Sequence, residues 1–215
     1  MRISYAITVC DEEDEIVRLV DFLLKNKRCE DEICVLLDTS KTTKYIQKFL
    51  WNYSTNKEIS LYEDAFEGHF ANWKNKLTQI CSGDYIFQID ADEIPHKFLI
   101  DALPELLGDN NDLDVFLVPR VNTVEGITPE HIQKWRWNID DKKRINWPDY
   151  QWRIWKNKPE IKWIGKVHER LDGFKLYAPL PDNESYALFH PKTIEKQEAA
   201  IKLYQTIDPL VKEKI

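Results

Sequence analysis

The strongest constraint on the fold is a short apolar run that ends in three acidic residues. Residues 85–89 have the sequence Tyr-Ile-Phe-Gln-Ile, and Asp90, Asp92 and Glu93 follow within the next four positions. Such a run, rich in β-forming residues, predicts a strand that is buried on both faces of a sheet. Because residues two apart on a strand point to the same side, Asp90 and Asp92 are expected to project together.

Strand and helix patterns alternate over the first 95 residues. Strands are predicted at residues 3–9, 33–37, 59–62 and 85–89. Helices are predicted between them at residues 16–24, 42–53 and 68–81, and Gly83 is placed to end the last helix. This alternation indicates βαβ units and a mostly parallel sheet, which is an α/β fold. Ligands of such sheets bind beyond the carboxyl ends of the strands, so Asp11, Asp38 and Asp90 are expected to meet in one crevice.

Composition limits the class of protein. The 215 residues are 43% hydrophobic and 12% aromatic, which predicts one domain, residues 1–215, with a substantial core. The net charge of −7 disfavours nucleic-acid binding, which depends on clustered Lys and Arg. No apolar run approaches the roughly 20 residues of a membrane span, and the first residues do not resemble a signal peptide. A soluble, cytoplasmic protein without a transmembrane segment is expected, with its four cysteines reduced.

The second half of the chain is less regular. A helix at 97–107, strands at 115–118 and 186–189, and a helix at 193–204 are predicted. Six of the eight tryptophans lie between Trp135 and Trp163, where they either belong to the core or form an aromatic surface that packs against a ligand. The connection 121–148 lacks clear periodicity and is predicted to be a mobile lid or binding segment.

The paired acids suggest a metal site. Two hard oxygen ligands, completed by water and phosphate oxygens, suit Mg²⁺ or Mn²⁺. We predict that Asp90 and Asp92 bind the metal, with His168 as an imidazole ligand at the end of the run 163–167. His190 is a second potential imidazole ligand, for which a structural role is the alternative. The competing interpretation of the acids is a solvated loop or a cap for the helix after Pro95.

Several segments together resemble a known family. They are Ile7-Thr8-Val9-Cys10-Asp11-Glu12-Glu13, Val35-Leu36-Leu37-Asp38-Thr39-Ser40, Asn75, the stretch from Gly83 to Glu93, the stretch from Arg153 to Asn157 and the stretch from Ile161 to Glu169. The sequence resembles family 2 glycosyltransferases of the GT-A fold, in particular small lipopolysaccharide-type members. The resemblance implies a Rossmann-like sheet flanked by helices and a hexosyltransferase type of activity. It further implies that residues 1–95 form the nucleotide-sugar-binding half of the domain and residues 96–215 the acceptor-side half, where the clustered tryptophans could stack on sugar rings. It also implies a nucleotide-sugar donor, UDP-linked first and GDP- or dTDP-linked as alternatives, a saccharide or glycoconjugate acceptor, and Mn²⁺ or Mg²⁺.

Site residues follow from the resemblance. Asp38 matches the acid that contacts the base or ribose, Asp11 and Glu12 lie where the first loop lines the base pocket, and Asp90 and Asp92 match the metal- and donor-binding pair. Asn75 and Arg153, which lie in the other matching segments, are placed on the donor side. Asp11 stands where Asn is frequent, and Thr39-Ser40-Lys41 lacks a common glycine.

The chemistry requires a base as well as a metal. A departing nucleoside diphosphate is a polyanion that a divalent cation stabilises, while the sugar acquires oxocarbenium character. A carboxylate on the opposite face that accepts the proton of the acceptor gives inversion in a single displacement. The candidates are Glu169, Asp149 and Glu93 in that order, and a surface acid paired with Arg170 is the alternative for Glu169.

Two other functions are compatible with parts of the sequence. A non-catalytic carbohydrate-binding protein would use the aromatic residues without turnover. A nucleotidyltransferase would need a Gly-rich and basic phosphate loop after the first strand, whereas residues 11–14 are all acidic. The sequence therefore favours the glycosyltransferase.

Overall fold

The fold is built around one seven-stranded sheet, and the computed structural model describes residues 1–209. The elements up to residue 90 are β1 (Ile3–Val9), α1 (Glu13–Asn26), β2 (Glu32–Asp38), α2 (Lys44–Thr55), β3 (Ser60–Asp64), α3 (Phe70–Gln79) and β4 (Tyr85–Asp90). The later elements are β5 (Ile94–Pro95), α4 (Lys97–Asp109), β6 (Val115–Val118), β7 (Arg120–Glu125), α5 (Pro129–Trp135), β8 (Gln151–Lys156), β9 (Lys162–Ile164), β10 (Arg170–Asp172), β11 (Tyr177–Pro179), β12 (Leu188–Thr193) and α6 (Ile194–Ile207).

Both halves of the chain contribute to the main sheet. Its strand order is β11-β6-β8-β4-β1-β2-β3, with β3, β2, β1 and β4 parallel and β8 antiparallel to both β4 and β6. The predicted α/β class, with strands and helices alternating through β4, is confirmed. A second sheet of β5, β12 and β7 and a small β9-β10 hairpin complete the fold. No helix of the described residues has the length and apolar character needed to cross a membrane.

The core lies on both faces of the main sheet. The helices α1, α2 and α4 cover one face, and α1 buries Ile16, Leu19, Val20 and Leu23 at the spacing that the sequence predicted. The other face packs against α3, together with the buried rings of Trp155 and Trp163. Each fully buried large apolar side chain contributes about 1.5–3 kcal/mol relative to an exposed one.

The segment 121–148 contains a strand and a helix that the sequence pattern did not indicate. It contains most of β7 and the whole of α5, and it packs against α6 through a separate apolar cluster that includes Trp135, Trp137, Ile145 and Ile201. The sequence pattern did not indicate this strand and helix because the contacts that stabilise them join parts of the chain that are far apart in sequence, while a role as a mobile lid or binding segment stays a prediction. Local periodicity does not report such contacts.

Gly83 is required for close packing rather than for ending a helix. The helix α3 ends earlier, at Gln79, so the predicted capping role of Gly83 was wrong. A Cβ atom at Gly83 would lie 2.8 Å from the Ser4 amide nitrogen and 2.9 Å from the Arg2 carbonyl oxygen. These are backbone atoms at the start of β1 that cannot move without disturbing the sheet.

Gly83→Ala is therefore expected to lower the free energy of unfolding by about 1–3 kcal/mol, as overpacking does. Gly108 is the matched control, because it lies in α4 and a Cβ there would meet nothing within 4 Å. Gly108→Ala is expected to raise the free energy of unfolding by about 0.5–1 kcal/mol. Urea denaturation of both variants measures the difference, and equal effects would contradict the close-packing role.

Candidate active site

The carboxyl ends of three parallel strands place the acidic residues at one edge of the sheet. Asp38 is the last residue of β2 and Asp90 the last residue of β4, while Asp11 follows β1 between them. In the sheet register Thr8 of β1 lies opposite Asp90, and its hydroxyl donates a hydrogen bond of 3.4 Å to that carboxylate. The acids therefore lie at the edge where ligands bind in open α/β sheets.

The Asp38 carboxylate accepts hydrogen bonds from the three loops that follow β1, β2 and β3. Its Oδ1 atom accepts hydrogen bonds from the amides of Ser40 at 2.9 Å and Phe66 at 3.1 Å, and its Oδ2 atom lies 3.5 Å from the thiol of Cys10. Burial raises the pKa of Asp38, but the hydrogen bonds from Ser40 and Phe66 outweigh it and the pKa is lowered. Glu12 has a related role, since it accepts a hydrogen bond of 2.8 Å from the Cys10 amide. Direct contacts of Asp11, Glu12 and Asp38 with a donor remain predictions.

Arg153 is the central cation of the site. One terminal nitrogen lies 2.5 Å from Asp90 and 2.6 Å from Glu93, and the other donates to the side-chain carbonyl of Gln88. Burial raises the pKa of Asp90, but the charges of Arg153 and Lys74 lower it well below its usual range. Arg153 is itself only 3% exposed, so Asp90 and Glu93 compensate its charge.

An irregularity in β8 directs Arg153 into the site. The pairing of β8 with β6 shifts register at this point, so Ile154 lies opposite Phe116 and Trp152 opposite Leu117, which leaves Arg153 as the extra residue of a β-bulge. Bulges re-aim side chains and are frequent beside active sites. The sequence placed Arg153 on the donor side but gave no sign of this bulge.

Asp92 lies against a different imidazole from the one predicted. Its Oδ2 atom is 3.1 Å from Nε2 of His190 and 3.4 Å from the ammonium of Lys192, while Nδ1 of His190 is 2.7 Å from Oδ1 of Asn122. The Asn122 amide nitrogen donates to Asp149 at 2.6 Å, which fixes its oxygen as the acceptor and Nδ1 of His190 as the donor. Burial outweighs the opposing charge of Asp92 and lowers the pKa of His190.

This arrangement fits a bound cation. With Nδ1 of His190 as the donor to Asn122, Nε2 of His190 faces the carboxylate of Asp92 across 3.1 Å, an arrangement that a shared proton or a bound metal ion would stabilise. A metal-binding His usually donates its second nitrogen to an oxygen acceptor, as His190 does to Asn122. The described residues contain no group of three or more His, Cys, Asp and Glu side chains suited to a metal. Ligands from a substrate would therefore have to complete any coordination sphere here.

The other two predicted metal ligands, Asp90 and His168, do not lie against His190: Asp90 is surrounded by cationic and amide groups, and His168 lies beside Tyr204. Asp90 accepts from Arg153 and Gln88 and lies 3.9 Å from the ammonium of Lys74. His168 is an exposed residue with φ of +52°, and its ring centre lies 5.7 Å from that of Tyr204. Metal binding by Asp90 and His168 stays a prediction, whereas Asp92 contacts His190 in the structure.

Glu169 is paired with a buried lysine. Its Oε1 atom lies 2.6 Å from the Lys74 ammonium, which also lies 4.6 Å from the centre of the Trp163 ring. Burial raises the pKa of Glu169, but the charge of Lys74 outweighs it and the pKa is lowered. The alternative, an exposed acid paired with Arg170, is therefore incorrect. Lys74 was missed, although a lysine among the buried positions Ala71, Trp73 and Leu77 of α3 is a signal that sequence reasoning could use.

The other two candidate bases, Asp149 and Glu93, have more hydrogen-bond and ion-pair partners than Glu169. Asp149 accepts hydrogen bonds from Arg120 at 2.8 and 2.9 Å, from Asn122 at 2.6 Å and from Gln151 at 2.9 Å. Burial raises its pKa, but Arg120 and Asn122 lower it below the usual value. Glu93 has 0% exposure and is bound by both Arg120 and Arg153, so an acceptor cannot reach it. Of the three acids, Glu169 has the fewest protein partners.

A cavity of about 340 Å³ brings several of these residues together. Among the predicted site residues, its wall includes Asp90, Asp149, Arg153, His168 and Glu169. The part that sequence reasoning missed includes Lys74, Arg120, Asn122, Gln197 and Tyr204. Burial, with the charges of Glu169 and Asp90, raises the pKa of Tyr204 to about 12, so its hydroxyl stays protonated.

Other predicted residues lie elsewhere. Asp11, Glu12, Asp38 and Asp92 are not part of the cavity wall that the structure describes. Asn75 is also outside it, and its amide both accepts from and donates to the backbone of Trp163 at 2.9 Å. Of the six clustered tryptophans, four are buried, which confirms that most are core residues: Trp135, Trp137, Trp155 and Trp163.

Comparison with known proteins agrees with the fold. The family described as "Glycosyl transferase family 2" matches residues 4–177. A crystal structure of S. aureus TarS has a TM-score of 0.62 and 15% identity, with 96% of this chain and 39% of the TarS chain covered. TarS 1–349 in complex with UDP-GlcNAc also has a TM-score of 0.62 and 15% identity, over 89% of this chain and 59% of the other.

The TarS 1–349 complex with UDP has a TM-score of 0.62 at 14% identity, over 96% of this chain and 65% of the other. The chain thus spans less than two thirds of the TarS chains that it matches. No curated protein matched the sequence significantly. The family match covers most of the chain, so the chain belongs to glycosyl transferase family 2, and its fold is similar to that of TarS.

Proposed function

We propose that this protein transfers a sugar from a nucleotide-sugar, most favourably a UDP-sugar, to a hydroxyl of a saccharide or glycoconjugate, with inversion. The observation that carries the proposal is the position of Asp90 and Glu169 in the wall of one cavity at the carboxyl edge of the parallel strands. TarS, which has a similar fold, was crystallised with UDP-GlcNAc and with UDP, which supports a uridine donor.

The charges of the site suit the departure of a diphosphate. Lys74 lies between Asp90 and Glu169, and Lys192 lies beside Asp92. Both ammonium groups line the cavity and can contact phosphate oxygens there. Glu169 is the proposed base, because its carboxylate lines the same cavity and has a single charged partner.

Asp92 and His190 are the residues that would hold a divalent metal. When bound there, the ion would supply positive charge that stabilises the leaving diphosphate. A mixed carboxylate and imidazole set favours Mn²⁺ over Mg²⁺. Mg²⁺ is often bound by one or two protein carboxylates together with substrate phosphates, so a site with only two protein ligands would leave positions for phosphate oxygens.

The neutral part of the cavity suits a saccharide acceptor. Gln197 of α6, Asn146 and the ring of Trp152 line it together with the charged residues. Amides can bind sugar hydroxyls while an aromatic face packs against the C–H face of a ring. The acceptor side would thus be formed by β8, α6 and the segment before β8.

A panel of nucleotide-sugars tests the proposed function. UDP-, GDP-, dTDP- and CMP-sugars are added with and without Mn²⁺, and the melting temperature and nucleoside diphosphate release are measured. A true donor is expected to raise the melting temperature because it binds the folded state, and to release diphosphate. Binding without release would favour a carbohydrate-binding protein, and no response to any compound with Mn²⁺ present would refute the proposal.

Asp92→Asn and His190→Gln are each expected to weaken Mn²⁺ affinity by at least about 10-fold in the presence of UDP. His168→Ala is the comparison, and it is expected to keep Mn²⁺ affinity within a factor of about two if His190 is the imidazole ligand. Titration calorimetry with UDP present gives the affinities, and circular dichroism checks the fold. If only His168→Ala loses Mn²⁺, the metal site is that of the sequence prediction.

A further inference from the structure

The outer face of α2 combines lysines with a highly exposed tryptophan. We define the α2 face as Lys41, Lys44, Tyr45, Lys48 and Trp51. Trp51 is 63% exposed and Tyr45 is 56% exposed, and all three lysines are exposed. Trp51 is the most exposed large hydrophobic side chain in the described part of the chain. Nothing in the site described above uses this surface.

Helix geometry explains why these residues share a surface. The helix buries Ile46 and Leu50 against the sheet, and Lys44, Lys48 and Trp51 follow one another at spacings of four and three residues on the opposite side. Residues at these spacings are neighbours along a helix surface. Lys41 precedes the helix, and Tyr45 lies on the flank of the same surface.

The charge of the α2 face is uncompensated. Within residues 1–209, none of Lys41, Lys44 and Lys48 has a carboxylate within ion-pair distance. The whole protein has a net charge of −7, so a local excess of positive charge stands out from the rest of the surface. A partner of this face must therefore be anionic and able to accommodate exposed aromatic rings.

We propose that the α2 face binds the surface of a bilayer that contains anionic phospholipid. Lysines near such a surface are attracted by its negative potential, and Trp and Tyr rings lie favourably at the level of the headgroups. The helix has an apolar side already buried in the protein, so it would lie on the membrane through its outer side chains rather than insert. The interaction would hold the protein at a membrane surface reversibly.

Vesicle sedimentation tests this directly. The whole protein is mixed with vesicles of phosphatidylcholine alone, or of phosphatidylcholine together with the anionic lipid phosphatidylglycerol. The wild type is expected to sediment with the anionic vesicles, to be released by about 0.5 M NaCl through screening, and to stay in solution with phosphatidylcholine alone. Since each lysine contributes about five-fold to the partition coefficient, the triple variant Lys41→Glu, Lys44→Glu, Lys48→Glu should lose roughly 100-fold or more.

The matched control is a second triple Lys→Glu variant, with the substitutions placed outside the α2 face. Lys25, Lys162 and Lys175 are exposed and far apart in sequence, so their triple change to Glu alters the net charge equally without touching the α2 face. It is expected to sediment several-fold better than the α2 variant. Trp51→Ser is expected to weaken binding several-fold with all charges retained, and thermal melts confirm that each variant folds.

Three results would overturn the proposal. They are wild-type protein that stays in solution with anionic vesicles, equal losses in the two triple variants, and tighter binding to single-stranded oligonucleotides than to vesicles. The last result would assign the face to nucleic acid, which also uses lysines and aromatic rings. All of these measurements are independent of sugar transfer, so they stand whether or not the proposed activity is found.

Discussion

Glu169→Gln is expected to lower the rate of sugar transfer by about 10²- to 10⁴-fold, the usual contribution of a general base. In the wild type the Lys74 ammonium lies 2.6 Å from the Glu169 carboxylate. Glutamine has the same size and keeps one side-chain oxygen that can accept a hydrogen bond from Lys74. It cannot accept the proton of an acceptor hydroxyl at neutral pH. The affinity for UDP with Mn²⁺ should therefore change by less than about three-fold, while transfer is largely lost. Single-turnover kinetics with a donor identified by the panel measures the effect.

Asp149→Asn is the matched comparison for the base. Because the Asp149 carboxylate accepts from Arg120, Asn122 and Gln151, an amide there would place donors against donors. The main expected effect is a loss of stability of about 1–3 kcal/mol, with transfer by the folded protein falling far less than in Glu169→Gln. A larger loss of transfer in a well-folded Asp149→Asn protein would reassign the base to Asp149.

Arg153→Met is expected to lower the free energy of unfolding by about 3–5 kcal/mol at pH 7. Methionine fills similar space but leaves Glu93 and Asp90 without the guanidinium that now lies 2.6 and 2.5 Å from them. Glu93 is fully buried and keeps only Arg120 as a cationic partner at 3.2 Å. An uncompensated buried carboxylate is costly, and this is the largest single loss of stability expected from any change in the site.

Two further variants show whether the loss of stability in Arg153→Met depends on the contacts of Arg153 with Gln88, Asp90 and Glu93. Arg18 lies on the exposed side of α1, so Arg18→Met removes the same charge at the surface and should change stability by less than about 0.5 kcal/mol. Arg153→Lys keeps the charge but cannot contact Gln88, Asp90 and Glu93 at once, so an intermediate loss is expected. Urea denaturation measures all three, and a loss below about 1 kcal/mol for Arg153→Met would contradict the structural role of the guanidinium.

Much of the donor-side half follows from local sequence. The strands β1, β2 and β4 and the helices between them were predicted because apolar periodicity over a few residues reports burial directly. Asp90 and Asp92 could be found in the same way, since acids that directly follow a buried strand mark the ligand edge of a parallel sheet. Glu169 was also found, although its partner was not.

The sequence by itself thus determined the α/β class, the family and the edge of the sheet at which the acids lie, because each depends on residues close together along the chain. Only the tertiary structure decided which side chains contact these acids. It placed His190 against Asp92 because β12 pairs with β7, which brings His190 beside Asn122. The β-bulge in β8 likewise brings Arg153 into contact with Asp90. The His190 and Arg153 contacts both depend on the pairing of strands that are distant in sequence, which no local pattern encodes.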